Sequence, residues 1–215
     1  MIRTAAWVAF VSIGLAQQPP VQPSRATAQL EATLAQLTRY DYGQSPEPLY
    51  QLTIMVRDAI GSVEQTRTIE KRLDQFLASG VTLPAKQAAS QQLSMIATET
   101  SLPVLSAMLM HTETSEMARY ALARIPGPGV DEALRKALDA TSGNIRIGII
   151  NSLGQRRDTV AVPALRRLVT SSDASLAQAA MHALGNIGNR EALDALSAGG
   201  EPAMQEAYLD RKSVV

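Results

Sequence analysis

The chain has 215 residues, with 46% hydrophobic but only 4% aromatic residues, 20 basic against 20 acidic side chains, and no cysteine. Dominated by Ala and Leu, it suits many small helix–helix contacts and argues against a sandwich or barrel. Balanced charge argues against a nucleic-acid binder, because phosphate binding needs a cationic footprint. The lack of cysteine excludes disulfides, thiolate metal sites, a cysteine nucleophile and a lipoprotein anchor.

The N-terminus reads as an export signal. Met1-Ile2-Arg3 is a short basic opening, Ala5 to Leu15 ("AAWVAFVSIGL") is apolar and uncharged, and Gly14-Leu15-Ala16 places small residues where a signal peptidase cuts, before Gln17. Residues 1–16 are therefore expected to be a cleaved signal peptide and the protein to be exported, periplasmic or extracellular. An uncleaved anchor is the alternative, but the run is short for a span. Cleavage removes Arg3 and leaves 19 basic against 20 acidic residues. Residues 17–24 ("QQPPVQPS") read as a Pro-rich spacer, and nothing later resembles a transmembrane helix.

From there the chain reads as helices. "SRATAQLEATLAQLTRY" (Ser24 to Tyr40) is amphipathic, and with "YDYGQS" it forms an N-terminal helix and cap over 25–48. "EPLYQLTIMVRDAI" and "TRTIEKRLDQFLASG" form a divergent helical pair. "SQQLSMIATETSLPVLSAML" (Ser90 to Leu109) forms the next, and from there a period of 31 residues takes over. Ala121, Ser152 and Ala183 keep that spacing, as do Leu122, Leu153 and Leu184, and Gly154 falls on Gly185. A second helix follows in each unit: "VDEALRKAL" (Val130 to Leu138) aligns with "AVPALRRLV" (Ala161 to Val169), and Pro103 matches Pro163 at the start of that helix. Each unit is helix A, a turn, helix B and a link. Such a pair cannot bury its apolar stripe alone, so units must stack, with small residues at the shared positions admitting close approach. The fold class is all-α, an α-α superhelix of four to five helical pairs over 49–209. "IPGPGV" (Ile125 to Val130) is a rigid turn between helices A and B.

"LGQRRDTVAVPALRRLV" and "LGNIGNREALDAL" resemble HEAT repeats, in particular the short HEAT-like units of phycobilisome lyases, and the resemblance spans Leu49 to Leu196. It implies a HEAT/armadillo-like solenoid with A helices on the convex and B helices on the concave side. A few such proteins are enzymes, including bilin lyases and certain DNA glycosylases, while most are adaptors. "YDYGQSPEPL", "MARYALARIPGPGVDEALRKAL" and "RIGIINSLGQRRD" are also similar to exported bacterial HEAT-repeat modules, often joined to a sugar-directed hydrolase domain or a cytochrome.

Catalytic signatures are missing: no G-x-S-x-G, H-E-x-x-H, P-loop or G-x-G-x-x-G occurs. His182 sits beside a packing Ala on helix A and reads as a half-exposed helix residue. His111, with Glu113 and Glu116 in "MHTETSEM", reads as a solvated turn rather than a metal set, since structural sites want four closing ligands. A bilin lyase needs a cytoplasmic setting that the signal opposes. A glycosylase needs aromatic walls, and the cleaved chain keeps no Trp, one Phe and five Tyr. No cofactor, metal or catalytic residue is expected.

One constellation stands out. Arg135-Lys136 and Arg166-Arg167 lie 31 residues apart, in consecutive B helices, where stacking predicts a basic ladder. Arg146, Arg156 and Arg157 lie in the same units, and Val130 to Arg190 carries eight basic against five acidic residues. The ladder suits an acidic protein surface or a carboxylated glycan; the alternative is a solvated face neutralised by Asp131, Glu132 and Asp139.

Beyond Gly199-Gly200, "EPAMQEAYL" starts another A-like helix. The final "DRKSVV" (210–215) is what GATCGGAAGAGCGTCGTG, a sequencing-adapter sequence, encodes, so this tail is expected to be non-native and the natural protein to continue past Leu209. The expected function is a non-catalytic protein-interaction or scaffold module, one part of a larger exported protein. The alternative is the non-catalytic part of an enzyme whose catalytic domain follows, or a lyase-like HEAT enzyme.

Overall fold

The computed structural model describes residues 24–197. The expected signal peptide, most of the spacer, the A-like helix after Gly200 and the 210–215 tail lie outside the described residues. Ser24, assigned to the spacer, is the N-cap of the first helix: its Oγ accepts from Thr27 N at 3.2 Å.

The described residues form eleven α-helices: α1 (Arg25–Leu37), α2 (Glu47–Ala59), α3 (Val63–Ala78), α4 (Leu83–Ile96), α5 (Leu102–Leu109), α6 (Ser115–Leu122), α7 (Pro128–Ala140), α8 (Gly143–Gln155), α9 (Val162–Leu168), α10 (Ala174–Ile187) and α11 (Arg190–Ser197). After α1, even-numbered helices are the A helices and odd-numbered ones the B helices. The A helices pack in series, α2 on α4, α4 on α6, α6 on α8 and α8 on α10. In the second layer α3 meets α5, α5 meets α7, and α9 meets α11, while α3, α5, α7 and α9 also pack on the A helix that follows each of them. This is the all-α, α-α superhelical arrangement that the period predicts. No described helix is long and apolar enough to cross a membrane.

The repeat columns become the core. Leu93, Leu122, Leu153 and Leu184 are fully buried along the A layer, and Leu105, Leu134, Leu165 and Leu196 along the B layer. Each contributes roughly 1.5–3 kcal/mol of transfer free energy. The small residues set the spacing. A Cβ on Gly154 of α8 would stand 2.6 Å from Ala183 Cα of α10, so these two backbones touch. A Cβ on Gly148 would meet the Arg119 guanidinium at 2.7 Å, and that guanidinium donates to Gly148 O at 3.3 Å. The α1 cap is fastened by Arg72 of α3, which holds both oxygens of Glu31 at 2.5 Å.

Links repeat as well. Pro103 and Pro163 sit in the first turns of α5 and α9. A 3-10 turn precedes each helix, at Glu99–Ser101 and Thr159–Ala161, capped by Thr98 and Asp158; periodicity did not predict these turns. Helix α8 ends in a Schellman motif, with Asp158 N bonded to Leu153 O and Arg157 N to Gly154 O. Arg157 occupies the left-handed position there at φ 55°, and 31 residues on Gly188 takes the same role at φ 64°.

Candidate functional site

The basic ladder separates into residues the fold consumes and residues it leaves exposed. Arg135 of α7 belongs to the first kind. Its Nη1 lies 2.5 Å from Asp158 Oδ2, and Asp158 is only 7% exposed. The other oxygen of Asp158 accepts from Val160 N at 3.1 Å, so the carboxylate caps the turn before α9 while holding the previous unit's arginine. Lys136 pairs with Glu132 at 2.7 Å, and both line a groove of about 380 Å³ between α5 and α7. The Lys136 ammonium holds the Glu132 carboxyl below the usual carboxylate range.

Arg156, read from sequence as part of the cationic cluster, is structural. Its Nε pairs with Asp131, Nη1 donates to Ile125 O at 3.0 Å and Leu122 O at 3.3 Å, and Nη2 to Gly127 O at 3.1 Å. The "IPGPGV" turn is thus clamped by its successor. It is clamped by its predecessor too: Glu99 Oε1 accepts from Gly129 N at 2.9 Å, and a Cβ on Gly127 would collide with that same carboxylate. With Gly127 at φ 110°, the position suits only glycine.

Arg166 and Arg167 differ. Both are exposed on α9, and among the described residues neither has an acidic partner within ion-pair distance. The repeat explains why. Arg166 stands where Arg135 stands one unit earlier, and the position matching Asp158 is Asn189. Asn189 keeps the capping duty, its Oδ1 accepting from Ala192 N at 2.8 Å, but carries no charge. The structure therefore locks Arg135 and leaves Arg166 and Arg167 facing solvent.

A family model of HEAT repeats matches residues 131–201. The chain carries HEAT repeats. The match starts in α7 and includes α8 to α11, the part where the 31-residue period is cleanest; no curated protein matches the chain. HEAT repeats suggest an interaction or scaffold module, built of stacked units that present extended surfaces.

Elsewhere in the HEAT stack, His111 lies exposed in the turn before α6, and among the described residues no three His, Cys, Asp or Glu side chains gather as a metal set. His182 borders an A-layer groove of about 520 Å³ with Asn151, Gln155 and Gln178. A buried glutamate and a half-buried aspartate beside it were not legible in the sequence. Glu70 of α3 accepts from Thr98 N at 2.7 Å, Thr98 Oγ1 at 2.9 Å and Ser101 Oγ at 2.9 Å, closing the turn before α5. Asp74, one turn on, keeps Oδ1 buried without a partner. Burial pushes its pKa up, the nearby Ser101 hydroxyl opposes this, and the Glu70 charge reinforces it. Glu70 does for the second unit's link what Arg135 does for the fourth's: both reach from a B helix to the cap of a following unit.

Proposed function

We propose that this HEAT stack is a non-catalytic protein-interaction module of an exported, larger protein, and that it engages acidic protein segments through Arg166 and Arg167 on the B layer. The observation that carries the reading is the broken register: the repeat supplies an arginine at position 166 and withholds, at Asn189, the carboxylate that neutralises its predecessor. Two adjacent exposed guanidiniums at that place favour the bidentate carboxylate pairing that arginine geometry suits. Arg135 and Lys136 form the flank of this surface and are already paired. Export is supported by the N-terminal sequence alone, and Edman sequencing of the secreted product is expected to begin at Gln17.

Fluorescence-anisotropy titration of a labelled Asp/Glu-rich peptide against the whole chain tests the binding reading. Arg166→Glu with Arg167→Glu is expected to weaken binding at least tenfold, with wild-type affinity falling as salt rises. Equal affinity of wild type and double variant sinks the reading. A carboxylated glycan that binds where the peptide does not moves the partner class from protein to polysaccharide.

A further inference from the structure

Two motifs read from the sequence as a cap and a solvated turn, "YDYGQS" and "HTETSEM", stand on opposite flanks of one polar cleft in the A layer. Gln87 and Gln91 form its central ridge on α4. On the α2 side lies a groove of about 150 Å³ bordered by Tyr42, and on the α6 side one of about 330 Å³ bordered by Glu113, Glu116 and Tyr120. The larger falls within the range of about 300–1,000 Å³ usual for small-ligand sites.

Two deeply buried polar groups in these grooves lack partners. Ser90 is 1% exposed, and its Oγ makes no hydrogen bond. Gln92 is 9% exposed; its Nε2 donates to Thr53 Oγ1 at 3.1 Å. The hydroxyl proton of Thr53 is committed to Leu49 O at 2.9 Å, so Thr53 can only accept from Gln92. That sets the amide orientation and leaves Gln92 Oε1 as a buried acceptor with no donor. Leaving such a group unsatisfied is costly, and two in adjoining grooves point to a ligand that bonds them. On the ridge, Tyr42 donates to Gln87 Oε1 at 2.6 Å, leaving Gln87 Nε2 as a donor. The cleft therefore mixes a hydroxyl, amide acceptors, an amide donor and two carboxylates. Its flanking rings, Tyr42 and Tyr120, are 71% and 46% exposed.

We propose that the α2–α4–α6 cleft binds a neutral oligosaccharide. A sugar hydroxyl donates and accepts at one oxygen, which matches a site offering both kinds of partner side by side, and the apolar C–H face of a pyranose lies on an exposed tyrosine ring. Glu113 and Glu116 repel an anionic ligand. The Arg124 guanidinium, 4.3 Å from the Tyr120 ring centroid, places a positive charge beside the same wall and disfavours a cationic ligand. The site is in the opposite layer from Arg166 and Arg167 and is independent of the acidic-partner reading.

Isothermal titration calorimetry on the full chain, with cellohexaose, xylohexaose and maltohexaose as probes and a hyaluronan hexasaccharide as the anionic counterpart, tests this. At least one neutral probe is expected to bind with a Kd of about 1 mM or tighter. Tyr120→Ala and Ser90→Ala are each expected to weaken it at least tenfold. Ser90→Ala is expected to leave Tm unchanged or raised, because its hydroxyl has no bond to lose. Arg166→Glu with Arg167→Glu is expected to leave sugar binding intact. No heat with any neutral probe, preference for the anionic one, or wild-type affinity in both cleft variants overturns the proposal.

Discussion

Replacing Gly154 with alanine probes the closest contact in the stack. The added Cβ would stand 2.6 Å from Ala183 Cα, 2.8 Å from Ala183 Cβ and 3.3 Å from Ala183 O. The first and third of these are backbone atoms, so no side-chain rotation relieves them. Helices α8 and α10 must part by about 1 Å to restore ordinary contact, and the packing on either side loosens with them. Overpacking of this kind costs about 1–3 kcal/mol, and an unyielding backbone puts it at the upper end. Alanine returns about 1 kcal/mol through helix propensity. The net expectation is a loss of about 2 kcal/mol, or a fall in Tm of about 4–8 °C for a chain of this size. Thermal and urea unfolding followed by circular dichroism at 222 nm reads this directly. Gly80→Ala is the control, with nothing within 4 Å of the added methyl. Ala183→Gly in the Gly154→Ala background removes the Cβ clash but leaves the Cα clash, so rescue is expected to be partial. A Gly154→Ala chain as stable as wild type would refute the close-contact account of the repeat glycine.

Other expectations follow from the charged groups. Arg156→Met leaves Asp131 unpaired and removes the guanidinium donor from Ile125 O and Gly127 O, while Leu122 O keeps its bond from Ile125 N; a loss of about 3 kcal/mol is expected in urea unfolding. Arg135→Met is expected to cost about 2 kcal/mol, because Asp158 stays buried without its partner, whereas Arg166→Met stays within about 0.5 kcal/mol of wild type, and equal effects would contradict the broken register. Arg157→Gly relieves a left-handed non-glycine residue and is expected to stabilise by about 1 kcal/mol in the same assay. Asp74→Asn carries a pH signature: with the folded-state pKa raised by burial and Glu70, the native state takes up protons more readily, so Asp74 weakens the fold increasingly as pH rises above its ordinary value of 3.8. The variant is therefore expected to gain Tm over wild type at neutral pH and to lose that advantage as pH falls towards 3.8; a pH-independent difference contradicts the assignment.

The architecture was legible because it is periodic. Leu122, Leu153 and Leu184 recur at one spacing and occupy one buried column, and the apolar pattern around them already has helical period. The fate of the charges was less legible. Arg135 and Arg166 look alike in their local sequences; what separates them is the residue 23 positions on, Asp158 in one unit and Asn189 in the next. Arg156 reads as a surface cation until the turn it clamps is folded beside it. The two flanking motifs, "YDYGQS" and "HTETSEM", gave no sign of sharing one cleft, since Tyr42, Gln92, Ser90 and Tyr120 come from a loop and two helices with no common spacing. The cleft's strongest signal, the orientation of Gln92, depends on a hydrogen bond to Thr53 that only the packed helices reveal. The 3-10 turns before α5 and α9 were missed because their cue is a single capping residue, Thr98 or Asp158, rather than a pattern.

Arg166 is free because Asn189 stands where the preceding unit carries Asp158. Asn189→Asp tests it without touching either arginine. Aspartate caps α11 as well as asparagine does, so the fold is retained, and the new carboxylate is expected to capture Arg166 as Asp158 captures Arg135. Anisotropy titration of the Asp/Glu-rich peptide should then show at least a tenfold loss of affinity. Wild-type affinity in the Asn189→Asp chain would contradict the account.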